Sequence, residues 1–190
     1  MADRIYLSCR VRGFSPQNML RCFEKMLRAF PFSITSPGIS ALRVYAIEYR
    51  EPPQIEIDIP GRPDPAALVQ TAAEFLNPDC AFLVQGFWDL WQQAPAWTLA
   101  PAPVTLACFG PHFEDETEDH LRIDLGVDTH FIPPPSDAFA RRKIHSNLRS
   151  LLRLSQDLES ILPLEKRRLW TESGENFAVR MQQALHLAER

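Results

Sequence analysis

Between positions 111 and 137 the chain concentrates three of its five histidines and eight carboxylates around a single base, Arg122. If the turn in Pro111–His120 centres on Glu116, His112 and His120 face each other across an antiparallel hairpin, with Glu114 and Glu118 one step nearer the tip. Opposed residues in such a ladder have Cβ atoms roughly 5 Å apart, close enough to share a zinc or manganese ion. Continued by period two, His120, Arg122, Asp124, Asp128 and His130 fall on one face. Imidazoles and carboxylates on a common face are what metal-assisted hydrolysis uses, so His112, His120, Asp124 and His130 are the candidate ligands of a divalent metal. The competing reading is a solvated turn and the polar side of a one-sided sheet, where like charges at Glu114, Asp115, Glu116, Glu118 and Asp119 repel at small cost. No recognised ligand spacing occurs here, and the solvated face is the preferred reading.

A reversal of charge follows. From Ala138 to Arg168 eight bases stand against Asp157, Glu159 and Glu165. Arg142, Lys143, Arg149 and Arg153 supply a basic flank, Lys166-Arg167-Arg168 a second cluster, and Asn147 or His145 a group able to reach a base edge. No aromatics interleave with the bases, which weakens a strand-stacking role. The acidic segment lying against this basic one is a further option. Nucleic-acid binding through the tail is therefore the weakest reading, and the net charge of −4 opposes it.

Trp91 and Trp97, near Phe87, Trp88 and a proline-rich connector, are candidate interface or ligand contacts, against the alternative of ordinary core. Cys108, close to His112, could be a nucleophile, but its position inside an apolar alternation reads as core. There is no G-x-G-x-x-G, Walker loop, G-x-S-x-G or H-E-x-x-H. No catalytic residue is assigned, and the expectation leans away from an enzyme.

The elements that must carry these residues are legible from period. Ile5, Leu7, Cys9 and Val11 alternate with polar residues as a half-buried strand. Ser15-Pro16 opens a helix with Met19, Leu20, Phe23, Met26, Leu27 and Phe30 on one face, and Pro31 stops it. Leu42–Tyr49 and Ile55–Ile59 read as strands. Asp64-Pro65 opens a second helix, and Cys80–Trp91 is a strand apolar on both faces. This order, β-α-β-β-α-β, is the pattern of a ferredoxin-like split β-α-β layer. Pro95, Pro101 and Pro103 suggest an irregular connector, then Val104–Phe109 and Leu121–Val127 a hairpin. Pro133-Pro134-Pro135 reads as a boundary, after which Ser136 caps a long helix with Ile144, Leu148, Leu151, Leu152, Leu158, Ile161 and Leu162 inward. A last helix carries Phe177, Met181 and Leu185.

The expected architecture is α+β: a mostly antiparallel sheet over residues 1–135, with a ferredoxin-like start and an added hairpin, and a helical segment over 136–190 packed on the same body. At 190 residues, 45% hydrophobic and 23% charged, composition is ordinary globular. No membrane-spanning stretch or signal pattern is read. Four widely spaced cysteines without a C-x-x-C pair suit buried thiols in a reducing compartment, hence a cytoplasmic location. The leading functional expectation is a non-catalytic interaction or binding module, without a cofactor, that meets an unidentified protein partner or a second copy of itself. Its contact surface is expected at Trp91, Trp97, Arg142, Lys143, Arg149 and Arg153. The alternative is the metal-dependent hydrolase described above.

Overall fold

The computed structural model describes residues 2–35, 38–93, 95–115, 117–132 and 138–188, with side chains to Gln182. Its elements are β1 (Arg4–Val11), α1 (Met19–Ala29), β2 (Ile39–Ala46), β3 (Ile55–Pro60), α2 (Pro65–Ala73), β4 (Cys80–Gln93), β5 (Trp97–Phe109), β6 (Leu121–Val127), a 3-10 turn (Asp128–His130), α3 (Ala138–Ile161), β7 (Leu164–Thr171) and α4 (Phe177–Ala188). The strands form one seven-stranded sheet in the order β3-β2-β4-β5-β6-β1-β7, every pairing antiparallel. The α+β class and the antiparallel sheet are as the periodicity predicts.

Strand order departs from the expected ferredoxin-like layout. β3-α2-β4 is a split unit with β2 between its strands, but three strands separate β1 from β2. The place between β3 and β4 that a ferredoxin-like β1 would hold is taken by β2, and the long β4–β5 hairpin, paired from Ala81↔Phe109 to Gln93↔Trp97, fills the other edge of β4. β5 also corrects the connector expected around Pro101 and Pro103. Both prolines are strand residues, placed where β5 pairs with β4 alone before β6 joins at Thr105↔Asp124. Proline cannot donate to a ladder, and a free edge asks it for nothing.

The helical reading of the tail is likewise corrected at Leu164–Thr171. This segment is edge strand β7, paired with β1 from Ile5↔Thr171 to Val11↔Leu164. Its Glu165, Lys166, Arg167 and Arg168 clothe the open edge with charge, a common protection against pairing with another chain. Residues 133–137, with the prolines and the Ser136 cap, lie outside the described residues. Helix α1 starts at Met19, later than Ser15-Pro16 suggests, because Asn18 closes the preceding turn: it accepts from the Ser15 N–H at 2.9 Å and donates to the Gly13 carbonyl at 2.8 Å. Asp64 caps α2 as expected, accepting from the Ala66 N–H at 3.1 Å.

Most buried strand positions face one side of the sheet. Ile5, Leu7, Cys9, Leu42, Val44, Phe82, Val84, Trp88, Val104, Leu106 and Ile123 meet the helices there. The stripe of α3 (Ile144, Leu148, Leu151, Leu154, Leu158) and Phe177 and Met181 of α4 are absorbed into this same core. Among the described residues no helix is long and apolar enough to cross a membrane.

Candidate functional site

Among the described residues no helix packs on the opposite face of the sheet, and the connection between β5 and β6 folds onto part of it. Gly110 begins that connection in a close approach: a Cβ there would lie 2.2 Å from the Pro78 carbonyl oxygen and 2.8 Å from that of Cys80. Phe113 then packs with Ala81, Ala107 and Phe109 in a small second core. Tyr49, from the turn after β2, stands edge-on to Phe113 and Phe109 at 5.0 and 5.8 Å. The two turns are tied by the Glu114 N–H donating to the Ile47 carbonyl at 2.7 Å. Ile47 holds this position at φ 67, a left-handed conformation that costs a β-branched residue energy.

This docking delivers carboxylates to cations. Arg122 donates to Asp115 Oδ1 at 2.8 Å and Thr117 Oγ1 at 3.1 Å, and its guanidinium lies 4.5 Å from the centre of the Phe109 ring. Arg168 of β7 donates to Asp119 Oδ1 at 3.0 Å, and Ser8 donates to Asp119 Oδ2 at 2.5 Å. The side chains of Asp115 and Asp119 are only 9% and 5% exposed, so these two are pinned, while Glu114 and Glu118 face solvent. The two charge blocks of the sequence do meet, through β7 and not through a basic helix. Burial lowers the pKa of Arg122, but Asp115 and Tyr49 outweigh it and hold the guanidinium firmly protonated. The Tyr49 hydroxyl is buried against that guanidinium although part of its ring is exposed, and its pKa is pushed up by burial.

Beside this buttress lies an open cleft of about 930 Å³. Leu83, Gln85, Thr105 and Ala107 form its floor, Glu48, Tyr49, Arg50, Glu114 and Asp115 one wall, and Tyr6, Asp124, Trp170 and Glu172 the other. Tyr6 and Trp170 are register partners and stack at 4.6 Å, and the Trp170 indole donates to Ser8 Oγ at 2.8 Å. Burial, with Asp124 and Glu172 adding to it, raises the Tyr6 phenol above its ordinary value. A recess of about 370 Å³ continues past Ser8 to Arg10, Lys166 and Arg168.

The predicted metal ligands are dispersed by comparison. His112 is exposed, and its backbone N–H donates to the Pro78 carbonyl at 2.9 Å. The ladder ends at Cys108↔Leu121, so His120 leaves the hairpin and stacks on Phe14 at 4.2 Å, with Nδ1 accepting the Val11 N–H at 2.9 Å. Burial and the neighbouring Arg10 lower its pKa. Asp124 accepts from Arg4 at 2.5 Å and from the Gly126 N–H at 2.9 Å. Asp128 and His130 sit in the 3-10 turn and not on the β6 face, which corrects the period-two set. Burial lowers the His130 pKa, and its Nδ1 is buried without a partner among the described residues. Among the described residues no three His, Cys, Asp or Glu side chains converge to hold a metal ion, and Glu116 lies outside those residues. Cys108 is fully buried, with a thiol pushed well up by desolvation, the opposite of an activated nucleophile.

The remaining candidates divide. Lys143 Nζ lies 3.2 Å from the centre of the Trp91 ring, and Trp97 is half-buried with an indole N–H that has no partner among the described residues. These tryptophans, with His130 and Arg180, line a separate recess of about 590 Å³. Arg142, Arg149 and Arg153 are exposed along α3. Asn147 is unavailable to a base edge: 2% exposed, it bonds the Trp91 N–H and carbonyl at 2.9 Å and the His130 carbonyl at 2.8 Å. Neither Tyr6 nor Trp170 was singled out by the sequence. The available signals were an aromatic on the polar register of β1 and another beside a basic run.

No family model, curated protein or solved structure matches this chain.

Proposed function

We propose that this chain is a non-catalytic binding module whose ligand occupies the cleft on the helix-free face of the sheet. One observation carries the reading: a roomy concavity with aromatic walls is buttressed by a charge network, Asp115–Arg122 and Ser8–Asp119–Arg168. A site held by packed and paired side chains loses little order on binding, and its volume falls within the range of small-molecule sites. Four buried, unpaired cysteines fit a reducing compartment, which supports a cytoplasmic setting. A protein partner is the second reading, favoured by the exposed flank of Phe139 with Arg142, Arg149 and Arg153.

The test is a thermal-shift screen of a metabolite library on the native sequence and on Gln85→Trp, which fills the cleft floor, after circular dichroism shows that the variant folds. At least one compound class should stabilise the native chain and lose its effect on Gln85→Trp. A screen without stabilising compounds, or one whose compounds act equally on both proteins, refutes the reading.

A further inference from the structure

The charges around the cleft are unbalanced. Arg122 is matched by Asp115 at 2.8 Å and Arg50 by Glu48 at 3.7 Å, while Asp124 draws on Arg4, which lies outside the lining. Glu114 and Glu172 also line the cleft, and among the described residues neither has an ion-pair partner. With those pairs matched, Glu114 and Glu172 stand as the carboxylates in excess at an opening bounded by three aromatic rings, those of Tyr6, Tyr49 and Trp170. The local field already registers inside the wall, since Asp124 and Glu172 both act to keep the Tyr6 phenol protonated. Aromatic surface with excess carboxylate is complementary to one kind of guest, because ring faces and anions both attract cations.

We infer, resting on the proposed function above, that the ligand of this cleft is a small organic cation carrying ammonium or guanidinium groups. The aliphatic body of such a cation lies along Leu83 and the ring edges, and its charged ends reach the unpaired Glu114 and Glu172. A cleft of about 930 Å³ admits a polyamine or an amino-guanidine whole. The guests disfavoured are anions, which would meet the carboxylates first.

The test follows the Trp170 indole resonance of the full chain by NMR during titration with spermidine and agmatine at low and high salt, assigned with Trp170→Phe. Triacetylspermidine serves as the uncharged counterpart, inorganic phosphate as the anion, and a Lys/Arg hexapeptide as the macromolecular source of the same groups. Binding of an amine should saturate, weaken with salt, and be absent for triacetylspermidine and phosphate. Each exposed carboxylate roughly 5 Å from a bound charge in a water-like dielectric contributes about fourfold in affinity, so Glu114→Gln/Glu172→Gln should weaken binding about tenfold to twentyfold. Neither group holds the fold through an ion pair, so the variant should melt like the native chain. Equal amine binding in the double variant overturns the inference, as does hexapeptide binding without amine binding. A neutral or anionic compound that shifts Trp170 when no amine does overturns the cation assignment and leaves the cleft as a binding site. If neither these probes nor the library perturbs Trp170, both readings fall.

Discussion

Arg122 is the keystone of the helix-free face, and removing it without removing volume is the most direct trial of that statement. In Arg122→Met the aliphatic stem over Phe109 persists, while the hydrogen bonds to Asp115 and Thr117 and the guanidinium–ring contact at 4.5 Å are lost. The Asp115 carboxylate, 9% exposed, is then left buried without its cation. Breaking one side of such a pair costs about 3–5 kcal/mol. Stability near 190 residues responds by roughly 2–4 °C per kcal/mol, so the melting temperature should fall by about 6–20 °C. Asp115→Asn alone should cost about 1–2 kcal/mol, because Arg122 keeps Thr117 and lies 3.9 Å from the Asp119 carboxylate. The double variant should then recover about 2 kcal/mol relative to the sum of the singles. Urea unfolding of all four proteins closes the cycle. An exposed pair on a mobile turn would give coupling of at most about 0.5 kcal/mol. Coupling that small refutes the pinned connection and, with it, the rigid wall of the cleft.

Two further outcomes are expected. Ile47→Gly should raise stability by about 0.5–1 kcal/mol, since relief of a left-handed isoleucine exceeds the entropy glycine adds to the unfolded chain; a lower urea midpoint would show the backbone there to be relaxed. His120 contributes a pH dependence whose sign is set by its depressed pKa. Its contribution is fully present above the ordinary value of 6.5 and is lost as pH falls through the lowered native value, where Nδ1 can no longer accept the Val11 N–H. Unfolding free energy should therefore decline on acidification below neutrality, and His120→Gln should flatten that decline; an unchanged slope would remove His120 from the account.

Elements that bury one face were legible in the sequence because burial writes a period. Ile5, Leu7, Cys9 and Val11 mark β1, and the Asp64 cap with Leu68 and Ala72 marks α2. β7 wrote none: as an edge strand it exposes Glu165, Lys166 and Arg167, and a run of bases then reads as helix surface. Strand order was illegible for another reason. Periodicity says which face of a strand is buried and nothing about which strand lies beside it, so the β-α-β-β-α-β order suggested a ferredoxin-like layer while β1 lies between β6 and β7. The same limit hid the cleft. Tyr6 and Trp170 meet only through the β1–β7 register. Asp115 and Asp119 look alike in a sequence whether they face water or Arg122 and Arg168.

That register also dictates when the fold can close. β1 has no strand neighbour until Leu121–Val127 and Leu164–Thr171 have been made. On the ribosome its apolar side would wait, exposed, while the β2–β5 half of the sheet is already able to pair. Long-range closures of this kind slow folding and lengthen exposure to aggregation. The rate-limiting event should be insertion of β1 between β6 and β7, both synthesised well after it, so a nascent chain stalled before Leu164 would hold β1 with one edge open and the cleft without its Trp170 wall.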